Sequence, residues 1–251
     1  MLNIKDKLIV ALDVDTVKDA ERFVNMLVPL GIKLFKIGGQ LFTAFGPEAV
    51  KMVGAKGGRV FLDLKFHDIP HTVFCATSSG TSCSYVATTT SYPNLQGDIK
   101  ESVQPPVFMM TVHIGGGEEM LKAAVEGAQS RATELNIKTP LIVGVTVLTS
   151  DKSSTNTQDE VLARARLAQK AGLDGIVCSV HEANAVRQAC GNEFIIVTPG
   201  IRPKGAEAND QKRIATAKDA IFAGANYIVV GRPILEAADP LEAAKDIIKE
   251  M

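Results

Sequence analysis

The chain has 251 residues, with 27 basic and 28 acidic side chains and a formal net charge of -1. Both signs are spread along its length, which argues against a nucleic-acid or membrane surface recognised through bulk charge and leaves only local charged pockets to consider. The length suits two small domains or one α/β barrel, with enough apolar material for a sizeable core.

In chain order, short β-branched runs alternate with helical patterns. The predicted strands are "LIVALDV" from Leu8, "LFKIG" from Leu34, "VFLDLK" from Val60, "FMMTVHI" from Phe108, "LIVGVTVL" from Leu141, "GIVCS" from Gly175, "FIIVTPG" from Phe194 and "YIVVGRP" from Tyr227. Between them lie stretches such as "VKDAERFVNMLVPLG", "EEMLKAAVEGAQS" and "DEVLARARLAQKAG", whose apolar residues recur at helical spacing. Eight strands, each followed by a helical stretch, predict a single (β/α)8 barrel over 1-251, with a doubly wound open sheet as the alternative. One connection breaks the pattern. From Phe74 to Val107 the sequence is rich in Ser and Thr, and no charged residue lies between Asp68 and Asp98. That composition predicts a weak or absent helix and partial disorder after strand three.

The four cysteines, Cys75, Cys83, Cys178 and Cys190, have no C-x-x-C spacing, and the sequence starts without an apolar signal stretch. Both features favour reduced thiols and a cytoplasmic protein. The longest apolar runs are too short to cross a bilayer.

The third strand ends in "DLKFHDIPHT", with Asp63, Lys65 and Asp68 closely spaced. Side chains two apart on a strand share a face, so Asp63 and Lys65 point into the barrel at its C-terminal mouth, where (β/α)8 active sites sit. Asp13 and Lys36, near the ends of the first two strands, reach the same mouth. A catalytic charge cluster and a structural ion-pair network both fit this pattern. Late in the chain, "VTPGIRP" and "VVGRPI" place Gly200, Arg202, Gly231 and Arg232 after strands seven and eight, where barrels bind phosphate.

Other motifs carry less. In "HDIPH" the proline interrupts any helix that would hold His67 and His71 on one face, so no metal site is expected. "GIRPKG" lacks the Lys-Ser/Thr of a phosphate-binding P-loop, and no G-x-G-x-x-G fingerprint or Ser-His-Asp set is legible. "HIGGGEE" suits a turn or the start of a helix, and His113 suits a structural hydrogen bond as well as catalysis.

The stretches "ALDVD", "DLKFHDIPHT", "VTVLTS", "VTPGIRPKGAEANDQKR" and "VVGRPI", in this order, resemble the orotidine 5'-phosphate decarboxylase family. The D-x-K-x-x-D core is shared with sugar-phosphate enzymes of the same superfamily, whereas "TPGIRP" followed by Gln211 and "LTS" ending in Thr149 are more specific to the nucleotide enzyme. The resemblance implies cofactor-free conversion of orotidine 5'-phosphate to UMP by a homodimer with shared sites. It implies Lys65 as proton donor to C6, within an array completed by Lys36, Asp63 and Asp68. It places Asp68 and Thr72 in the partner's site, Asp13 and Lys36 on the ribose hydroxyls, and Thr149 on the pyrimidine edge. Gln211 would bridge base and phosphate, with Arg202, Gly231 and Arg232 at the phosphate. Three features depart from the family pattern: His71 stands where asparagine is usual, the loop after Thr149 is short, and residues 74-107 replace a compact amphipathic helix, as an insertion or a corrupted reading frame would. A sugar-phosphate decarboxylase or lyase, and a phosphate-binding barrel that has lost activity, are the alternative readings.

Overall fold

The computed structural model describes residues 4-83, 105-147, 157-202 and 215-251. Its strands are β1 (Leu8–Ala11), β2 (Leu34–Gly38), β3 (Arg59–Phe66), β4 (Val107–His113), β5 (Leu141–Val145), β6 (Gly175–Val177), β7 (Ile195–Thr198) and β8 (Tyr227–Val230). All pair in parallel, in sequence order, and β8 returns to β1 to close the barrel. The helices are α1 (Val17–Leu27), α2 (Gly39–Phe45), α3 (Pro47–Ala55), α4 (Pro70–Thr81), α5 (Gly117–Leu135), α6 (Thr157–Lys170), α7 (Val180–Cys190), α8 (Ala217–Phe222), α9 (Arg232–Leu235) and α10 (Pro240–Glu250). The (β/α)8 expectation therefore holds and the open sheet is excluded.

Strand alternation sorts the core into two layers. Ile9, Ala11, Leu34, Phe61, Met109, Val143, Val197 and Val229 fill the barrel interior. Their neighbours, including Val10, Phe35, Leu62, Met110, Ile142, Ile176, Ile196 and Ile228, pack outward against the helices. Strands buried on both faces explain the near-continuous apolar runs that mark them in the sequence.

The expectation of a weak or absent helix after strand three fails for its first part, because α4 is a regular helix of 12 residues. Pro70 occupies its first turn, where a missing N–H costs nothing, so it starts this helix and does not interrupt one. The hydroxyls that depress helix propensity are used internally: Thr77 Oγ1 donates to Val73 O at 3.1 Å and Thr81 Oγ1 to Thr77 O at 2.8 Å. Both threonines are fully buried. Small residues also let α5 come close, since a Cβ built at Gly127 would overlap the Phe74 carbonyl oxygen and Thr77 Oγ1. Packing against a neighbour outweighs a propensity deficit of a few tenths of a kcal/mol per residue. The predicted disorder falls mostly on residues 84-104, outside the described residues.

Candidate active site

The inward-facing rows that fill the barrel continue upward into polar residues and, on β8, a glycine. Ile9 and Ala11 lead to Asp13, Leu34 to Lys36, Phe61 to Asp63, Met109 to Thr111, and Val229 to Gly231. The apolar plug below and the charged mouth above are thus one alternation read along several strands.

At the mouth, Lys36 Nζ lies 2.9 Å from Asp13 Oδ1 and 3.7 Å from Asp63 Oδ2. Lys65 Nζ lies 2.9 Å from both oxygens of Asp63. The ions form a chain, Asp13–Lys36–Asp63–Lys65, in which each carboxylate meets an ammonium. Asp63 and Lys36 are 14% and 12% exposed, whereas Lys65 is 40% exposed. The carboxylate is therefore sequestered while the Lys65 ammonium opens onto the cavity.

Asp63 and Lys65 do converge, but not through simple alternation. The β3–β4 pairing runs Leu62 with Met110 and then Phe66 with Val112, so β3 carries extra residues at this level. Lys65 absorbs the irregularity at φ 51, in the left-handed region. For a non-glycine residue this costs about 1–3 kcal/mol and persists only where surroundings enforce it. The enforcing contact comes from β4, where Thr111 Oγ1 accepts from Lys65 N–H at 2.8 Å and donates to Asp63 Oδ1 at 3.0 Å.

A cavity of about 160 Å³ sits above this array, lined by Lys36, Phe61, Asp63, Lys65, Val145 and Ser179 among others. Lys36, Pro199 and Val229 also line a second cavity of about 480 Å³, so the two adjoin. Asp13, Gly200, Arg202, Gly231 and Arg232 all border the second cavity. The two sequence constellations therefore border adjoining cavities at the same mouth. Gly200 takes φ 81, a conformation that requires glycine at this turn. Arg202 is buried, and its N–H donates to Ala215 O at 2.9 Å, which ties the segment after β7 to the approach of α8. Gln40 and Glu236 line the same cavity and escaped the sequence reading. Gln40 donates to Asp15 Oδ1 at 2.7 Å.

The remaining candidates lie apart from the array or outside it. Asp68 and Thr72 are exposed on the rim, and the Asp68 carboxylate accepts from the Ile69 N–H at 2.7 Å. Among the described residues Asp68 makes no ion pair. Thr149 and Gln211, like the short loop after Thr149, lie outside the described residues. His67 stacks on His113 with ring centroids 5.1 Å apart, while His71 Nε2 lies 3.8 Å from Cys75 Sγ, so the two histidines of "HDIPH" face different partners. His113 Nδ1 accepts from Gly115 N–H at 3.1 Å. Burial first, and then the charges of His67, Arg164 and Lys65, push His113 below the ordinary histidine pKa.

Residues 6–247 match the Orotidine 5'-phosphate decarboxylase / HUMPS family. The chain belongs to that family. An orotidine 5'-phosphate decarboxylase from Moorella thermoacetica is 44% identical over 259 aligned residues, covering 100% of this chain and 94% of that protein. One from Vibrio cholerae serotype O1 is 43% identical, covering 96% of each. The crystal structure of the Lactobacillus acidophilus orotidine 5'-phosphate decarboxylase superimposes with a TM-score of 0.77 at 31% identity, over 98% of both chains. Family membership over nearly the full length excludes an unrelated barrel. Thr111 is the neighbour of the Asp63–Lys65 pair that the sequence reading missed most clearly. The alternation Met109, Thr111, His113 on a predicted strand was the signal that could have found it.

Proposed function

We propose that the chain decarboxylates orotidine 5'-phosphate to UMP in pyrimidine biosynthesis, acting as a carboxy-lyase in one barrel domain over 1-251. The observation that carries this reading is the Asp63–Lys65 pair at the wall of a cavity adjoining the arginine-bordered one, in a chain of this family. Loss of CO2 from C6 breaks the carbon–carbon bond and leaves its electron pair on C6, with no adjacent carbonyl to spread it. The Lys65 ammonium stabilises that developing charge and transfers its proton to C6, giving UMP and a neutral amine that is reprotonated before the next turnover. Asp63 keeps the ammonium charged and aimed. Lys36 and Asp13 hold the ribose hydroxyls, Thr149 the pyrimidine edge, and Gln211 links base and phosphate. Arg202, Gly231 and Arg232 take the phosphate, whose remote binding energy is used at the reacting carbon.

Two copies act together in this reading, with Asp68 and Thr72 of each completing the other's mouth. Their exposure on the rim beside Ile69, 66% exposed, supports that assignment. Among the described residues no helix is long and apolar enough to cross a membrane.

The decisive test follows orotidine 5'-phosphate by ultraviolet absorbance with purified protein and excess chelator. Turnover is expected, and Lys65→Ala is expected to abolish it while the thermal unfolding transition is retained. Activity that collapses with chelator would favour a metal-dependent sugar-phosphate enzyme. UMP binding without turnover would favour a barrel that has lost its chemistry. A Lys65→Ala rate within about tenfold of wild type, or about 1.4 kcal/mol, would remove Lys65 from the proton-donor role.

A further inference from the structure

Thr111 lies on the inward row of β4, is fully buried, and touches both members of the Asp63–Lys65 pair. A threonine hydroxyl has one proton to give and lone pairs to accept with. The Lys65 amide can only donate and an ionised Asp63 carboxylate can only accept, so the direction of both bonds is fixed: the hydroxyl proton goes to Asp63 and its lone pair takes the Lys65 N–H. One side chain thus closes a ring over the irregular part of β3. It supplies the partner that the sheet ladder no longer offers the Lys65 amide between Leu62 and Phe66. It also fixes the plane of the Asp63 carboxylate, whose two oxygens both sit 2.9 Å from Lys65 Nζ.

We propose that Thr111 is a positioning residue for the decarboxylation, holding the left-handed Lys65 backbone and the Asp63 carboxylate in register so that the ammonium meets C6. This deepens the decarboxylase reading and rests on it. Thr111 does not line either cavity, so it acts through Asp63 and Lys65 and not on the substrate. The grips on ribose and phosphate are elsewhere, at Asp13, Arg202 and Arg232. Loss of the hydroxyl should therefore slow the chemical step and leave substrate binding nearly intact.

A purely space-filling role predicts the opposite ranking of variants. Valine keeps the shape and branching of threonine without the hydroxyl, while serine keeps the hydroxyl and loses a methyl group. If Thr111 only fills space, Thr111→Val is the milder change; if it positions the pair, Thr111→Ser is. Thr111→Ala, compared with Thr111→Ser, isolates the hydroxyl a second time in a variant too small to overpack the barrel.

The experiment measures kcat and KM for orotidine 5'-phosphate in these three variants, with thermal unfolding as a check on folding. Thr111→Val and Thr111→Ala are expected to lower kcat about ten- to a hundredfold, the range for a lost hydrogen bond to a charged group. KM should stay within about threefold, and Thr111→Ser should retain kcat within about threefold. The proposal is overturned if Thr111→Val keeps wild-type kcat, if serine falls as far as alanine, or if KM rises with kcat unchanged. Amide exchange at Lys65, read by nuclear magnetic resonance, stands apart from activity. It should accelerate in Thr111→Val and Thr111→Ala but not in Thr111→Ser. Inactive wild-type protein would count against the decarboxylase reading alone, whereas unchanged exchange at Lys65 in the hydroxyl-free variants would sink the role of Thr111.

Discussion

Lys65 combines two features that are each unfavourable in isolation, a left-handed backbone without glycine and an ammonium held at the top of a packed barrel. Both are compensated by the same neighbours, since Asp63 satisfies the charge and Thr111 anchors the backbone. Strain concentrated at one residue next to a cavity fits the proposed role of Lys65 as a preorganised proton donor. Arg232 presents the complementary case, a half-buried residue at the start of α9 that borders the larger cavity. Arg232→Ala should weaken UMP binding by about 2 to 4 kcal/mol if a desolvated, charge-assisted phosphate contact is lost. Isothermal titration with UMP checks this, and unchanged affinity would move the phosphate elsewhere.

At the level of elements, the α4–α5 pair shows close approach substituting for helix propensity. Gly127 lies inside α5, where alanine would ordinarily be preferred by about 1 kcal/mol. Its missing Cβ is nevertheless what admits the Phe74 carbonyl oxygen, a backbone atom that cannot swing aside. Overpacking of this kind costs about 1–3 kcal/mol, so Gly127→Ala should be net destabilising despite the better propensity. A urea unfolding midpoint at or above wild type would contradict that balance. The next contact along the barrel is electrostatic: Glu118 at the start of α5 pairs with Lys122 at 2.8 Å and with Lys170 of α6 at 2.7 Å. The hydrogen bonds from Lys122 and then Lys170 hold the Glu118 carboxyl down to about 2, against 4.5 for the free group. A depressed carboxyl stabilises the fold fully above pH 4.5, and its contribution is lost as pH falls from there toward 2. The difference in thermal midpoint between wild type and Glu118→Gln should accordingly be widest near neutral pH and narrow progressively below pH 4.5. A gap independent of pH would mean that the ion pairs contribute nothing.

For the whole molecule, the barrel gathers into one mouth residues scattered from Asp13 to Arg232, because every parallel strand delivers its C-terminal end to the same side. Asp68 stands apart from the ion chain, exposed on the rim, and among the described residues its carboxylate accepts from the neighbouring Ile69 N–H. In the proposed two-fold dimer Asp68 would complete the partner's mouth, and the contact would occur twice. Lys65→Ala and Asp68→Ala subunits, each inactive alone, should complement when unfolded and refolded together. Random pairing makes about half the dimers mixed, and each mixed dimer has one site with both defects and one with neither, so roughly a quarter of wild-type activity should return. If Asp68 serves its own barrel, every site keeps a defect and mixing restores nothing.

The sequence by itself determined the eight strands, their parallel order and the charged mouth, because strands buried on both faces leave unbroken apolar runs and a period of two names the inward residues. Asp13, Lys36, Asp63, Arg202 and Arg232 were legible for that reason, each lying near the end of such a run. Tertiary structure alone decided how Lys65 reaches Asp63, since a left-handed residue in a strand leaves no periodic trace and depends on a hydroxyl 46 positions away. It alone decided that a Ser/Thr-rich segment becomes α4, because local propensity knows nothing of the glycine in α5 against which it packs. Thr111 shows the boundary between the two. Its direction followed from alternation, but its partners existed only once β3 had bulged against β4.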